Sequence, residues 1–350
     1  MSRTSKVHYI AMDTHGKTTT ICVKKRVDSP GVTTTVETSI AAIRGVIDKI
    51  DRPRKLAFEE GPLADWLLRN LEDHVDETVV CDPRKNALIA KDSSKDDPID
   101  AGKLCDLFLG KYLKPVHHPQ SRERAVIKQV VGLYVQQVRA KVRCANQVMA
   151  YCKRWGVVVD EAGFATAPAR ALLSCRMPGD ETVKGIMDIL FGAYDHSVKQ
   201  VKRLRHELAR YAREQEVVKR WSEVPGIGVV RGMVLLSYLD TPWRFKSKQA
   251  LWKYMGIGLV KKTSGDGPVK VGVEKICNRH LKNAILGAAE SVMRQKDNPY
   301  RKRCEQWMQA GLGRRNARRN VARALACTVV GMWKNGGVYD PGKVFGGGEP

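Results

Sequence analysis

Asp97-Pro98-Ile99-Asp100-Ala101 is the stretch whose reading decides the fold, because two earlier acidic sites stand in a fixed relation to it. Asp13 ends the apolar run Val7–Met12, and Glu59-Glu60 end the run Lys55–Phe58. Acids therefore close two strands and open one helix, so three separated pieces of chain can converge on one point. Carboxylates gathered within a few ångströms repel and raise one another's pKa, and a hard divalent cation relieves that repulsion. Asp97 and Asp100, at i and i+3, share a helix face. The same residues also fit a plain helix start, with Asp97 as N-cap, Pro98 at N1 and Asp100 favouring the dipole. It is the joint occurrence of the three sites, in this order, that points to a metal centre acting on phosphodiesters.

The surrounding pattern alternates. Val7–Met12, Thr18–Lys25 and Val32–Val36 read as strands rich in β-branched residues, separated by Gly/Lys and Ser-Pro-Gly turns. Ile40–Ile50 has helical spacing, Lys55–Phe58 is a short strand, Leu63–Leu71 a helix, Thr78–Cys81 a strand and Asp97–Leu113 a helix. The order βββαβαβ-α is that of a ribonuclease H-like fold. In such a sheet Asp13 on the first strand and a glutamate on the fourth are neighbours. Spacing favours Glu59, while strand alternation leaves Glu60 open for the opposite face.

Charge divides the chain at the same place. Residues 1–112 hold 18 Lys+Arg and 18 Asp+Glu, whereas the remaining residues hold 43 basic and 19 acidic, the whole net charge of +24. A neutral module with clustered acids is thus joined to a polycation suited to nucleic acid. No run approaches the length of a membrane span and no signal-peptide core opens the chain, so a cytoplasmic protein is expected. The nine cysteines lack any CxxC or Cys/His spacing, which fits reduced thiols better than disulfides or zinc.

Beyond residue 114 the pattern turns helical. Arg122–Trp155 reads as one long helix, and Glu181–Trp221 as a second whose Val201, Leu204, Leu208, Tyr211 and Val218 form a coiled-coil-like seam. That seam suits either the first helix or another protomer. Helices are expected at Val229–Leu239, Lys248–Met255, Glu274–Met293 and about Arg315–Trp333, with an irregular loop over Gly256–Gly272. Four segments follow: 1–114, 115–221, 222–340 and a disordered tail, 341–350.

Basic residues mark candidate nucleic-acid contacts. Arg139, Lys141 and Arg143 lie on the first long helix. Pro225-Gly226-Ile227-Gly228 resembles a helix–hairpin–helix turn, whose backbone amides around Gly226 and Gly228 can hold a phosphate, though Pro-Gly is also a generic turn. Arg315, Arg319 and Arg323 form one helical stripe, with Arg318 beside it, while Val321, Leu325 and Val329 face a core. Lys261, Lys262 and Lys270 flank Thr263-Ser264-Gly265, where a loop serine among lysines can attack a phosphate. On its own a Ser-Gly pair is more often just a turn.

Tyr9-Ile10-Ala11-Met12-Asp13-Thr14-His15, Phe58-Glu59-Glu60-Gly61-Pro62 and Lys95–Ala101 resemble the acidic segments of the DEDD transposases of bacterial insertion sequences. Val224–Gly228, Arg244–Ser247, Tyr254-Met255-Gly256, Ser264-Gly265, Lys275-x-x-Asn278-x-x-Leu281 and Asn316–Arg323 occur in the order of that family's second domain. The chain departs from the pattern at Glu60, where a small residue is usual, at Cys277, where glycine is common, and at Lys282, where arginine is common. The resemblance implies an α/β RuvC-like domain, then a mostly α-helical coiled-coil segment and a mostly α-helical transposase domain. It implies catalytic roles for Asp13, Glu59, Asp97 and Asp100 as ligands of Mg²⁺, with Mn²⁺ as a substitute, and for Ser264 as nucleophile. It further implies donor and target double-stranded DNA, a structured bridge RNA, and a homo-oligomer, dimer or tetramer, whose active sites combine protomers. The competing expectations are a RuvC-like junction endonuclease without a serine step, and a non-catalytic scaffold.

Overall fold

The structure, a computed structural model, describes residues 7–27, 29–86, 97–119, 121–262 and 270–345. The chain forms two compact units, Met1–His118 and Pro119–Pro350.

The first unit runs β1 (His8–Thr14), β2 (Thr18–Lys24), β3 (Val32–Glu37), α1 (Ile40–Ile47), β4 (Arg54–Glu59), α2 (Ala64–Leu71), β5 (Glu77–Cys81) and α3 (Asp97–Leu109). Its five strands lie in the order β3-β2-β1-β4-β5. The first three are antiparallel, and β4 and β5 extend the sheet in parallel, as the sequence pattern predicts.

Strand alternation sorts the side chains into two layers. Ile10, Met12, Leu56 and Phe58 face α1 and α2, packing with Ile43, Ile47, Leu67 and Leu71. Ala11, Cys22, Ala57 and Cys81 face α3 and pack with Ala101, Leu104, Cys105 and Phe108. The small residues at 11 and 57 leave room for the helix to lie close to the sheet. Two polar ties fix it there: Lys24 Nζ lies 2.7 Å from Asp106 Oδ1, and Cys105 Sγ donates to the carbonyl of Tyr9.

The second unit is largely helical: α4 (Arg122–Arg154), α5 (Ala167–Ser174), α6 (Glu181–Arg213), α7 (Glu216–Trp221), α8 (Val229–Leu239), α9 (Lys248–Tyr254), the hairpin β6 (Leu259–Lys262) and β7 (Lys270–Val273), α10 (Arg279–Arg294), α11 (Pro299–Gln309) and α12 (Arg314–Asn335). Helices α4 and α6 form an antiparallel pair. Ala145, Val148 and Cys152 meet Met187, Phe191 and Tyr194 at one end, while Ile127 and Val131 join Leu208 and Ala212 at the other. Leu208 of the predicted seam thus packs within the chain, with Tyr211 partly buried against the same core.

Several sequence expectations need correction. The helix expected over Glu181–Trp221 breaks at Glu214-Gln215, where Gln215 turns extended and bonds to Glu123 across the helix pair. The break redirects Val217, Val218 and Trp221 into the main core, and the Trp221 indole N–H donates to the carbonyl of Val329 at 2.8 Å. Gly256–Gly272 is not irregular throughout, because β6 and β7 pair in antiparallel register with Lys262 opposite Lys270. The helix expected from Glu274 starts instead at Arg279, where the Asn278 side chain accepts the amides of His280 and Leu281. Helices α5 and α11 have no counterpart in the sequence reading; each begins with a Thr or Asn cap and a proline in the first turn. Within the segment expected to be a disordered tail, Pro341–Lys343 forms a 3₁₀ turn and Phe345 packs edge-on against Tyr300 and Trp307.

Candidate metal centre and basic helix

The first site is built by register. Met12 pairs with Phe58 across β1 and β4, so Asp13 and Glu59 come next, side by side at the ends of neighbouring parallel strands. Alternation puts both on the layer of Ala11 and Ala57, the layer covered by α3. That helix brings Asp97 and Asp100 through its first turn, anchored by fully buried Ala101. A cleft of about 520 Å³ opens at the ends of β1 and β4, lined by Asp13, His15, Glu59, Glu60 and Pro62 among others, but not by Asp97 or Asp100. A larger recess of about 840 Å³ lies at the far end of β1, around His8, Lys25 and Val32, away from these acids.

Glu59 and Glu60 have different surroundings. The Glu59 carboxylate accepts a 2.8 Å hydrogen bond from the side-chain amide of buried Asn86, which also reaches Cys81 Sγ. Glu60 donates its backbone N–H to the Cys81 carbonyl, and its carboxylate lies 2.7 Å from His118 Nε2. Glu59 is thus the glutamate on the Asp13 layer.

Burial raises the Asp13 carboxyl above the ordinary carboxylate range; the nearby imidazole of His15 opposes that, and the charges of Asp97 and Asp100 add to it. Asp100 Oδ1 is buried with no hydrogen-bond partner. Both features fit a bound cation, and the donor set of carboxylate oxygens suits a hard one. His15 Nε2 stands 3.4 Å from Asp13 Oδ2 and 3.5 Å from Asp97 Oδ1. Ligand atoms of these three residues all lie within 4.8 Å of one another. Sequence reasoning did not select His15, Asn86 or His118. His15 lies in the turn just after β1, which alternation does not place.

In the second unit the predicted contacts divide into free and engaged groups. On α4, Arg139 and Arg143 are exposed, but Lys141 is paired with Glu161 at 2.7 Å. Gly226 serves packing: its φ is +79°, and a Cβ there would meet the Ala288 carbonyl oxygen at 2.7 Å. Gly228, the N-cap of α8, has nothing within 4 Å of its Cβ direction. Lys261, Lys262 and Lys270 lie on β6 and β7, with Lys262 opposite Lys270. Ser264 lies outside the described residues.

On α12, Val321, Leu325 and Val329 are fully buried, as the helical period predicts. Arg314 and Arg318 lean on Glu290, at 2.9 and 3.4 Å. Arg323 is a structural anchor: its Nε donates to the Ile257 carbonyl and its guanidinium covers the Trp252 ring. Arg319 donates to Asn316, and burial, followed by the charges of Arg315 and Arg318, pulls its pKa down. Exposed Arg315 and half-buried Arg319 therefore carry positive charge that no described carboxylate neutralises.

No helix among the described residues is long and apolar enough to cross a membrane. Residues 218–305 match the family described as Transposase IS116/IS110/IS902 family. The chain is 26% identical over 246 residues to the protein named "Putative transposase y4pF/y4sB" from Sinorhizobium fredii (strain NBRC 101917 / NGR234), an alignment covering 69% of this chain and 62% of that protein. It is 21% identical over 238 residues to "Transposase for insertion sequence element IS1328" of Yersinia enterocolitica, covering 67% of this chain and 69% of that one. The chain is thus similar to these transposases, with the family match lying within residues 218–305.

Proposed function

We propose that this chain is the transposase of an insertion sequence, cutting and rejoining donor and target DNA through a serine nucleophile assisted by a RuvC-like acidic metal site. The observation that carries the reading is the convergence of Asp13 and Glu59 on the sheet layer covered by the helix that brings Asp97 and Asp100, in a chain whose residues 218–305 match a transposase family. Asp13, Glu59, Asp97 and Asp100 hold Mg²⁺, for which Mn²⁺ can stand in. Bound there, the cation supplies charge neutralisation at a phosphodiester and activation of an oxygen nucleophile or leaving group.

The protein's own groups do the rest. Asn86 holds the Glu59 carboxylate in one orientation. Arg315 and Arg319 bind backbone phosphates without reading sequence. Ser264 Oγ attacks a phosphorus atom, its proton leaves, and the displaced DNA oxygen departs while a phosphoserine ester keeps the strand attached for rejoining. Choice of sites falls to a structured bridge RNA, and the working form is a homo-oligomer.

The test is incubation of purified protein with Mg²⁺, the element-derived RNA and labelled donor and target DNA, followed by a denaturing gel. A covalent DNA adduct that maps to Ser264 and disappears in Asp13→Asn is the expected result. Metal-dependent cleavage with no adduct would replace the serine step with RuvC-like junction hydrolysis. Binding without cleavage or adduct would favour a scaffold.

A further inference from the structure

His15, His74 and His118 lie beside carboxylates, and His15 differs from the other two in geometry. His74 Nδ1 sits 2.9 Å from Asp48 Oδ1, and His118 Nε2 sits 2.7 Å from Glu60 Oε2, each within direct ion-pair distance of one acid. His15 Nε2 instead stands off two carboxylates almost equally, 3.4 Å from Asp13 and 3.5 Å from Asp97. These separations are long for a charge-assisted hydrogen bond. They are close to the spacing of adjacent ligands around a cation, about 3 Å for an octahedron with bonds of ~2.1 Å.

The backbone holds the ring in that place. The His15 amide donates to the Thr18 carbonyl and closes the β1–β2 hairpin, while its own carbonyl accepts the Thr38 hydroxyl at 2.8 Å. Its side chain is 58% exposed, so little packing fixes the imidazole and the metal face stays open to substrate. An exposed ion pair contributes little to stability, which leaves the two-carboxylate stand-off without a structural purpose.

We infer that His15 is a nitrogen ligand of the metal centre, completing an Asp13–His15–Asp97 face that makes the site prefer Mn²⁺ over Mg²⁺. The inference rests on the metal-site reading above and deepens it. Magnesium gains little from imidazole, whereas first-row transition ions bind nitrogen donors more strongly. Mn²⁺ accepts a mixed oxygen and nitrogen set while keeping the affinity for carboxylates that the other acids need.

The experiment is pulsed electron paramagnetic resonance on the full chain loaded with Mn²⁺, beside titrations of Mn²⁺ and of Mg²⁺ in competition with it. The expected result is a ¹⁴N modulation on the Mn²⁺ signal that changes to the ¹⁵N pattern when the protein is made with ¹⁵N-histidine. It should persist in His118→Ala and vanish in His15→Ala. In His15→Ala, Mn²⁺ affinity should fall about tenfold or more, the order seen when support of a metal ligand is lost. Mg²⁺ affinity should change much less. The labelling arm needs no variant, so a misfolded substitution leaves it intact. Binding of Mn²⁺ without nitrogen modulation would overturn the role of His15 and leave the carboxylate site standing. Failure of the wild-type chain to bind either cation would overturn the metal-site reading and this inference together.

Discussion

The two units gather like charge by opposite means. In the first, Asp13 and the Asp97–Asp100 pair come from separate places in the chain and are brought together because α3 lies on the face of the sheet that Asp13 shares, while Glu59 ends the neighbouring strand on that same layer and bonds to Asn86. In the second, Arg315 and Arg319 meet because they are four residues apart on one helix. The acids are a tertiary construction, and slipping a strand by one residue would turn Asp13 to the wrong layer. The arginines are a local one that survives wherever α12 stays helical. Burial raises the Asp13 carboxyl and lowers the Arg319 guanidinium, and like charges nearby add to both shifts, while His15 opposes the one at Asp13. On the proposed reading, one cluster holds a cation and the other a polyanion.

The sharpest way to break this comparison is to remove one charge from the first cluster. Asp13→Asn keeps the shape of the strand end and should lower strand joining by about a thousandfold, as losing several kcal/mol of charge stabilisation implies. Affinity for DNA should change little in the same variant. Chelation of the divalent cation should match it. Gel assays of joined product at saturating DNA make the measurement. A variant that joins strands normally, or one whose defect is cured by more DNA, would mean that the acids are not the reaction centre.

A second contrast lies inside the helical unit, between two glycines that the sequence presents as a pair. Gly226→Ala puts a methyl group against the Ala288 carbonyl oxygen and Val292 at a positive φ, and should cost about 3 kcal/mol. Gly228→Ala enters open space and should stay within about 0.5 kcal/mol. Denaturant melts of the two variants decide between them. Equal effects would mean that the turn is held by something other than the close approach to α10.

How much of this could be read from the sequence follows the same divide. Period-two alternation makes the strands legible, and their order alone puts Asp13 next to a glutamate. Spacing alone favours Glu59 over Glu60, and the layers add that Ala57 and Glu59 share the α3 face, where Asn86 arrives from 27 residues away. The buried stripe Val321, Leu325 and Val329 was legible from helical period alone. The break at Glu214-Gln215 was not, because no proline or glycine marks it and the cause is tertiary, the burial of Trp221 beneath α12. Lys141 looked like its neighbours Arg139 and Arg143, but Glu161, distant in sequence, had claimed it. Asn278, one of the residues shared with the family pattern, works as a helix cap here.

The gentlest test works on the arginines, where a stripe read as uniform splits into two kinds. Arg315 and Arg319 face outward with charge to spare, while Arg323 is spent on the Ile257 carbonyl and the Trp252 ring. Replacing Arg315 and Arg319 by alanine removes two phosphate contacts, so the slope of log affinity against log salt should fall by nearly 2, at about 0.9 per phosphate. Binding near physiological salt should weaken about tenfold, equally for specific and unrelated duplexes, because phosphate contacts carry no sequence. The melting temperature should hardly move. Arg323→Ala should do the reverse, lowering the melting temperature while leaving the salt slope nearly unchanged. If Arg323→Ala instead flattens the slope at unchanged stability, its contacts to Ile257 and Trp252 give way to DNA, and all three arginines belong to one phosphate-binding face.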